Sequence, residues 1–418
     1  MFSPSLFKSY FLGGFECSTH RRRDGRRLDL LAATRHDRLA AQDYQQLADF
    51  GIRSVRDGLR WHLIEASAGR YDWSSFLPML HASRDTEVQI IWDLCHYGWP
   101  DDIDIWSPEF VDRLARFAGA ATAVIREEAG AAPIFCPVNE ISYWSWAGGD
   151  VGLFNPGTEG RGAELKAQLV RASIAAIEAI WDVEPRARIV HIDPVIHVVA
   201  DLARPQDGPA AESYRTAMFQ GWDMLSGRLM PELGGRPEYL DIVGVNYYSD
   251  NQWNMGDSER KRIEAERRER GRKLGQHEER TADGEKSLGG RTLEFGNDRY
   301  RPFSRILLDV HERYQRPLFV AETGAEGSAR AAWLHYIADE TRDAIALGVP
   351  VEGICIYPIL NYAGWENERA CETGVMGGLD EHGRRRIYRP LADEILRQHA
   401  IFEELFGNRQ GTRGAVVR

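Results

Sequence analysis

The sequence predicts one α/β domain, a single (β/α)8 TIM barrel. Two observations carry this. Eight short β-like runs alternate with amphipathic stretches, and most runs are apolar at both alternating positions. Alternation builds βα units with right-handed crossovers. Apolarity on both faces marks strands covered on both sides, as in a parallel sheet. Eight such units can close into a barrel. An open doubly wound sheet would favour a glycine-rich phosphate turn after an early strand, whereas Gly13 and Gly14 lie inside the first run.

Taken in order, the runs are 11–17 (FLGGFEC), 52–56 (IRSVR), 88–95 (VQIIWDLC), 133–139 (PIFCPVN), 188–193 (RIVHID), 240–246 (LDIVGVN), 317–322 (PLFVAE) and 351–357 (VEGICIY). The intervening stretches place apolar residues on one helical face. In 37–50 these are Leu39, Tyr44, Leu47 and Phe50. Segments 108–128, 163–183, 330–347 and 391–405 read as helices in the same way. The barrel is expected over 1–407, with a charged insertion at about 255–290 and a flexible tail at 408–418. The densest part of the insertion, 257–285, mixes both signs, which predicts an exposed helix, a mobile loop or a lid over the mouth.

The chain has 418 residues, 43% of them hydrophobic, and 63 acidic against 52 basic residues give a formal net charge of −11. Such a balance argues against nucleic-acid or anionic-membrane partners and suits a neutral small molecule. Cys17, Cys95, Cys136, Cys355 and Cys371 are scattered and form no CxxC pair. Reduced core thiols in a cytoplasmic protein are expected, with no zinc site. The N-terminus lacks a signal-peptide layout, and no run of 18 apolar residues suggests a membrane span.

Active sites of such barrels sit at the C-terminal ends of the strands. The fourth run ends in Asn139-Glu140 and the seventh in Glu322-Thr323-Gly324. Two carboxylates therefore face one mouth from opposite sides. Glycoside cleavage needs such a pair: one acid protonates the leaving oxygen, and the other attacks the anomeric carbon or activates water. Their environments must push the two pKa values apart.

On these residues the chain resembles the clan A glycoside hydrolases, and within them family 1, the β-glucosidase and β-galactosidase group. The matching text is Asn139-Glu140 after strand four and Ala321-Glu322-Thr323-Gly324 after strand seven, with Arg56 ending strand two, His96 in Leu94-Cys95-His96-Tyr97, and Asn246-Tyr247-Tyr248 after strand six. The resemblance implies a retaining double displacement with Glu140 as acid/base and Glu322 as nucleophile. It implies that Arg56 keeps Glu322 ionised, that Tyr248 hydrogen-bonds it, that Asn139 contacts the sugar 2-hydroxyl, and that His96 holds another hydroxyl. Asn246 joins the substrate shell.

The sugar-binding shell departs from the family. Its first strand leads to a Gln that grips the sugar, and here the text is Cys17-Ser18-Thr19-His20, so His20 is the candidate substitute. Arg21, Arg22, Arg23, Arg26 and Arg27 follow at once, which suggests either an anion site or a solvated loop paired with acids. After strand eight the family has a Trp and a hydroxyl-binding Glu. Here Tyr357 takes the Trp position, no Glu stands near Ala363, and Glu366 after Trp365 is a shifted candidate. Of the tryptophans near strand ends, Trp144 and Trp146 are expected on the aglycone side and Trp365 in the substrate shell.

The expected function is thus a cofactor-free, metal-free β-glycoside hydrolase acting on a small β-glycoside or oligosaccharide. A transglycosidase on the same residues and a non-catalytic carbohydrate-binding barrel are the alternatives. A metal-dependent hydrolase would commonly place His-x-His after strand one, where Cys17-Ser18-Thr19-His20 stands.

Overall fold

The computed structural model describes residues 6–129, 132–256, 292–293, 295–365 and 368–406. The charged insertion, Glu366 and the tail lie outside the described residues. Eight parallel strands close into a barrel: β1 (Phe11–Gly14), β2 (Ser54–Gly58), β3 (Gln89–Asp93), β4 (Ile134–Cys136), β5 (Arg188–Pro194), β6 (Ile242–Asn246), β7 (Leu318–Thr323) and β8 (Val351–Ile356). Each pairs with its sequence neighbour, and β1 also pairs with β8 through Phe11, Leu12 and Gly13.

Helices α1 (His36–Ala48), α2 (Leu77–Asp85), α3 (Pro108–Ala129), α4 (Gly162–Val183), α5 (Gln220–Leu225), α6 (Phe303–Tyr314), α7 (Arg330–Ala346) and α8 (Arg389–Phe406) follow the strands in turn. Small additions decorate the frame, among them a short parallel pair, His197–Val199 with Gln252–Asn254.

The double-faced apolarity has a direct structural counterpart. Leu12, Ile91, Val190, Ile192, Ile242, Phe319, Ala321 and Cys355 pack together in one cluster, while their strand neighbours Ile90, Trp92, Val243, Val245, Leu318 and Val320 pack in a second, larger one. Successive strand residues point to opposite faces, so the first cluster fills the barrel and the second seals it to the helices. All five cysteines are buried free thiols.

Strand ends are less regular than the runs suggest. The fourth run leaves the ladder after Cys136. Residues beyond it are pinned to the two neighbouring strand segments instead: Asn139 N donates to Cys95 O, just after β3, at 3.1 Å, and Glu140 N donates to Ile192 O of β5 at 3.0 Å.

Candidate active site

Glu140 and Glu322 stand at the same mouth, on elements whose backbones are fixed. Glu322 lies within β7, registered beside Asn246 on β6. Glu140 takes φ +46°, a left-handed conformation unusual for a residue with a side chain. That turn stops the chain from continuing along the strand line and starts the short helix Ile141–Trp144. Ser142 N anchors it by donating to both oxygens of Asp193, at 2.9 and 3.1 Å. Burial pushes the Asp193 carboxyl up to about 7.

The two carboxylates have different company. Glu140 accepts from the Tyr97 hydroxyl and from Asn246 Nδ2, the latter at 2.6 Å. Burial, and then the charge of Glu322, hold its carboxyl well above the usual range, although both hydrogen bonds pull the other way. Glu322 instead meets a fixed cation: Arg56 Nη1 donates to Oε1, and the Tyr248 hydroxyl donates to Oε2 at 2.9 Å. Glu140 is 7% exposed and Glu322 5%.

Arg56 is fully buried and connects the site. Its Nε and Nη2 grip Asp93 at 3.0 and 2.6 Å, and Nη2 also reaches Asn139 Oδ1 at 2.5 Å. Such a fork is a geometry that lysine cannot supply. The guanidinium lies 5.2 Å from the centre of the Tyr357 ring. That ring needs Gly14: a Cβ there would fall 2.1 Å from Tyr357 Cδ2. The two-glycine run in the first strand is therefore a packing device for the mouth.

His96 reaches the site but spends both ring nitrogens on protein. Nδ1 is 2.8 Å from Asp93 Oδ2, and Nε2 is 3.0 Å from Asn139 Nδ2. These contacts hold Asp93 and Asn139 in place. Asn139 has its own amide engaged by Arg56, His96 and the Tyr97 hydroxyl. Asn246 keeps a buried Oδ1 with no partner among the described residues.

Trp144 corrects an expectation. It is 0% exposed, its indole N–H donates to Asn155 O at 3.0 Å, and its ring packs on Tyr97 and Trp99. It belongs to the core and has no face for an aglycone. Trp146 is half-buried against Tyr143. Trp365 packs against His20, with ring centres 4.6 Å apart, and holds a buried indole N–H without a partner among the described residues. Burial, followed by the neighbouring His96, Arg27 and Arg22, lowers His20 to about 3, so its ring is neutral.

The arginine run resolves into surface pairs. Arg21 and Arg27 bind Asp101, Arg22 binds Asp24, and Arg26 binds Glu368. Those four guanidiniums are already paired with acids, while Arg23 makes no ion pair among the described residues.

Sequence reasoning missed Glu16, Tyr97 and Asp93. Each is a polar residue in or just beyond an otherwise apolar run, which is the signal that singles them out. Cys17, Asp93 and His96 bring ligand-type atoms within 4.8 Å of one another. The Arg56 fork already neutralises Asp93, and a second cation there would meet a fixed positive charge. A hollow of about 440 Å³ lined by Tyr71, Arg116, Gly119 and Asp182 lies outside the barrel, away from these groups.

No protein-family model and no curated protein matches the sequence. Solved structures do match in fold. A β-glucosidase from Thermotoga maritima in complex with glucoimidazole superposes with TM-score 0.72 at 14% identity, covering 95% of this chain and 99% of that one. The AHE enzyme from Alicyclobacillus herbarius gives 0.71 at 15%, covering 96% and 99%. A family 1 β-glucosidase from Thermotoga maritima gives 0.70 at 13%, covering 95% and 98%. Over nearly its whole length, this chain carries the barrel fold of the family 1 β-glucosidases.

Proposed function

We propose that the protein is a retaining β-glycoside hydrolase, with Glu140 as acid/base and Glu322 as nucleophile. The observation that carries this is the contrast between two carboxylates at one mouth. Glu140 is buried and holds its proton above the usual range, while Glu322 is gripped by Arg56 and Tyr248. Pairs of carboxyls whose environments differ in this way divide acid and nucleophile roles between them.

In the first step Glu322 attacks the anomeric carbon as the Glu140 proton passes to the leaving oxygen. A covalent glycosyl ester forms on Glu322, and the alcohol departs. Glu140, now ionised, takes a proton from water. That water attacks the anomeric carbon from the face the alcohol left, which releases the sugar with its configuration retained and restores both groups. The Tyr248 hydroxyl and Arg56 fix the attacking oxygens, and Tyr97 and Asn246 fix the acid. The proposed substrate is a small, cofactor-independent β-glycoside or oligosaccharide.

The test is turnover of aryl β-glycosides (glucoside, galactoside, fucoside, mannoside, xyloside and 6-phosphoglucoside) by wild type, Glu322→Ala and Glu140→Ala. Turnover is expected to vanish in Glu322→Ala and to fall by roughly 10²- to 10⁴-fold in Glu140→Ala. Activity surviving both substitutions would overturn the assignment. Product analysis with added alcohol separates hydrolysis from sugar transfer.

A further inference from the structure

Glu16 lies two residues beyond β1 and plays no part in the steps above. It is 6% exposed. Among the described residues its hydrogen bonding comes from Ser18, whose backbone N donates to Oε1 at 3.1 Å and whose side chain also lowers its pKa. The basic group facing it is His96 Nε2 at 4.0 Å, and that nitrogen is already beside Asn139. No arginine or lysine pairs with it among the described residues. Burial raises its pKa, opposed by His96 and Ser18. A buried carboxylate with an unfilled oxygen is costly unless something supplies the missing donors.

Its surroundings are unfinished in the same way. The Tyr357 hydroxyl, His20 Nδ1 and Trp365 Nε1 are buried polar atoms without a partner among the described residues. Ser18 and His20 follow β1 while Tyr357 and Trp365 follow β8, and those strands are neighbours in the barrel. Glu16 is electrostatically coupled to Tyr357 and to Glu322. One corner of the mouth therefore holds several unfilled donors and acceptors around a carboxylate. By contrast, Arg56, Asp93, Asn139 and His96 satisfy one another. Buried polar groups are rarely left unpaired, and a polyhydroxylated ligand would complete this set.

We propose that Glu16 binds the sugar on the glycone side, accepting hydroxyl hydrogens through its free oxygen and selecting neutral glycones over anionic ones. The inference rests on the hydrolase reading above. An anionic glycone substituent would meet Glu16 close to Glu322, with the nearby arginines already occupied by Asp101, Asp24 and Glu368. It also gives the corner the carboxylate that is missing near Ala363 in the sequence after β8.

The test compares full-length wild type, Glu16→Ala, Glu16→Gln and Glu322→Ala. The substrates are the best neutral aryl β-glycoside, its monodeoxy analogues, and its 6-phospho and uronic-acid counterparts. Glu16→Ala is expected to lower kcat/KM on the neutral substrate by roughly 30-fold, the size of a hydrogen bond to a charged group. One deoxy analogue, lacking the contacted hydroxyl, should be turned over equally by wild type and variant. Glu16→Gln, which is isosteric and keeps the fold, should narrow the preference for neutral over anionic glycones. Unchanged kinetics, or the same loss on every analogue, would overturn the role of Glu16 while a dead Glu322→Ala leaves the hydrolase reading standing. An active Glu322→Ala, or a wild type inert on the whole panel, would overturn both.

Discussion

At the scale of single residues, the proposed acid/base Glu140 carries a cost in stability. Its left-handed backbone favours glycine by about 1–2 kcal/mol over residues with a Cβ. Burial beside Glu322 adds a second cost, since the folded chain must keep a carboxyl protonated that the unfolded chain would ionise. A carboxyl whose folded pKa is raised takes stability away as pH climbs from its ordinary value to the folded one. Glu140→Gln should therefore melt no lower than wild type at pH 8, read by thermal denaturation, while losing activity on substrates with poor leaving groups. On the proposed mechanism the same proton should set the alkaline limb of kcat/KM, with activity expected to fall as pH rises through the folded pKa of Glu140. With an activated leaving group, that limb should disappear in Glu140→Gln. Tyr248→Phe removes a donor to Glu322 and should cost roughly 100-fold in kcat, with little change in melting temperature. Chelators should leave activity unchanged, because Arg56 already holds Asp93; a loss restored by added metal would contradict this.

At the scale of elements, β2 and α1 are joined by a buried ionic chain. His36 Nδ1 and Nε2 lie 2.8 Å from Asp43 and 2.8 Å from Asp57. Arg385 grips Asp43, and the Tyr44 hydroxyl donates to Asp57 at 2.6 Å. Burial alone would lower the His36 pKa, but Asp57 and Asp43 outweigh it and raise the value to about 9. A raised histidine contributes stability that is complete below its unfolded pKa near 6.5 and is lost as pH rises through about 9. Its worth is on the order of 3 kcal/mol. Wild type should thus lose melting temperature between pH 7 and 10, and His36→Gln should show a flatter profile; equal slopes would refute the ionic role. The strands were legible in the sequence because apolarity on two faces is a one-dimensional signal. The ends were not: the regular ladder of β4 stops at Cys136, and beyond it Asn139 and Glu140 keep only single backbone bonds, to Cys95 just after β3 and to Ile192 of β5. Trp144 was misplaced for a related reason, since its proximity in sequence to Glu140 says nothing about which way a buried helix turns its indole. Tyr97 meets Glu140 and Glu16 meets His96 only through the fold, so no local pattern singles out those partners. Arg56, Glu140, Asn246, Tyr248 and Glu322 could be picked out as candidates because each lies in the later part of a strand or shortly beyond one, and one mouth collects all strand ends.

For the whole molecule, closure of the barrel ties the N-terminal strand to the last helix. Tyr10 stacks on Phe402 of α8 at 4.4 Å between ring centres, and Phe11 meets the same ring edge-on at 5.6 Å. Phe402 is 1% exposed. Phe402→Ala should cost about 3–5 kcal/mol by urea denaturation and loosen β1 against β8. That seam also carries Gly14, Glu16 and Tyr357, so the variant should lose activity before it unfolds. The charge pattern belongs to the same scale: a net charge of −11 and a mouth rich in carboxylates with one buried guanidinium both favour a neutral sugar over an anionic one. The central claim is that Glu322 forms a bond to the sugar. The most direct measurement is mass spectrometry of the protein after reaction with an activated 2-deoxy-2-fluoro-β-glycoside of the preferred glycone. A single added glycosyl mass on the peptide containing Glu322, absent in Glu322→Ala, is the expected result; a label on another residue, or rapid turnover by Glu322→Ala, would contradict it.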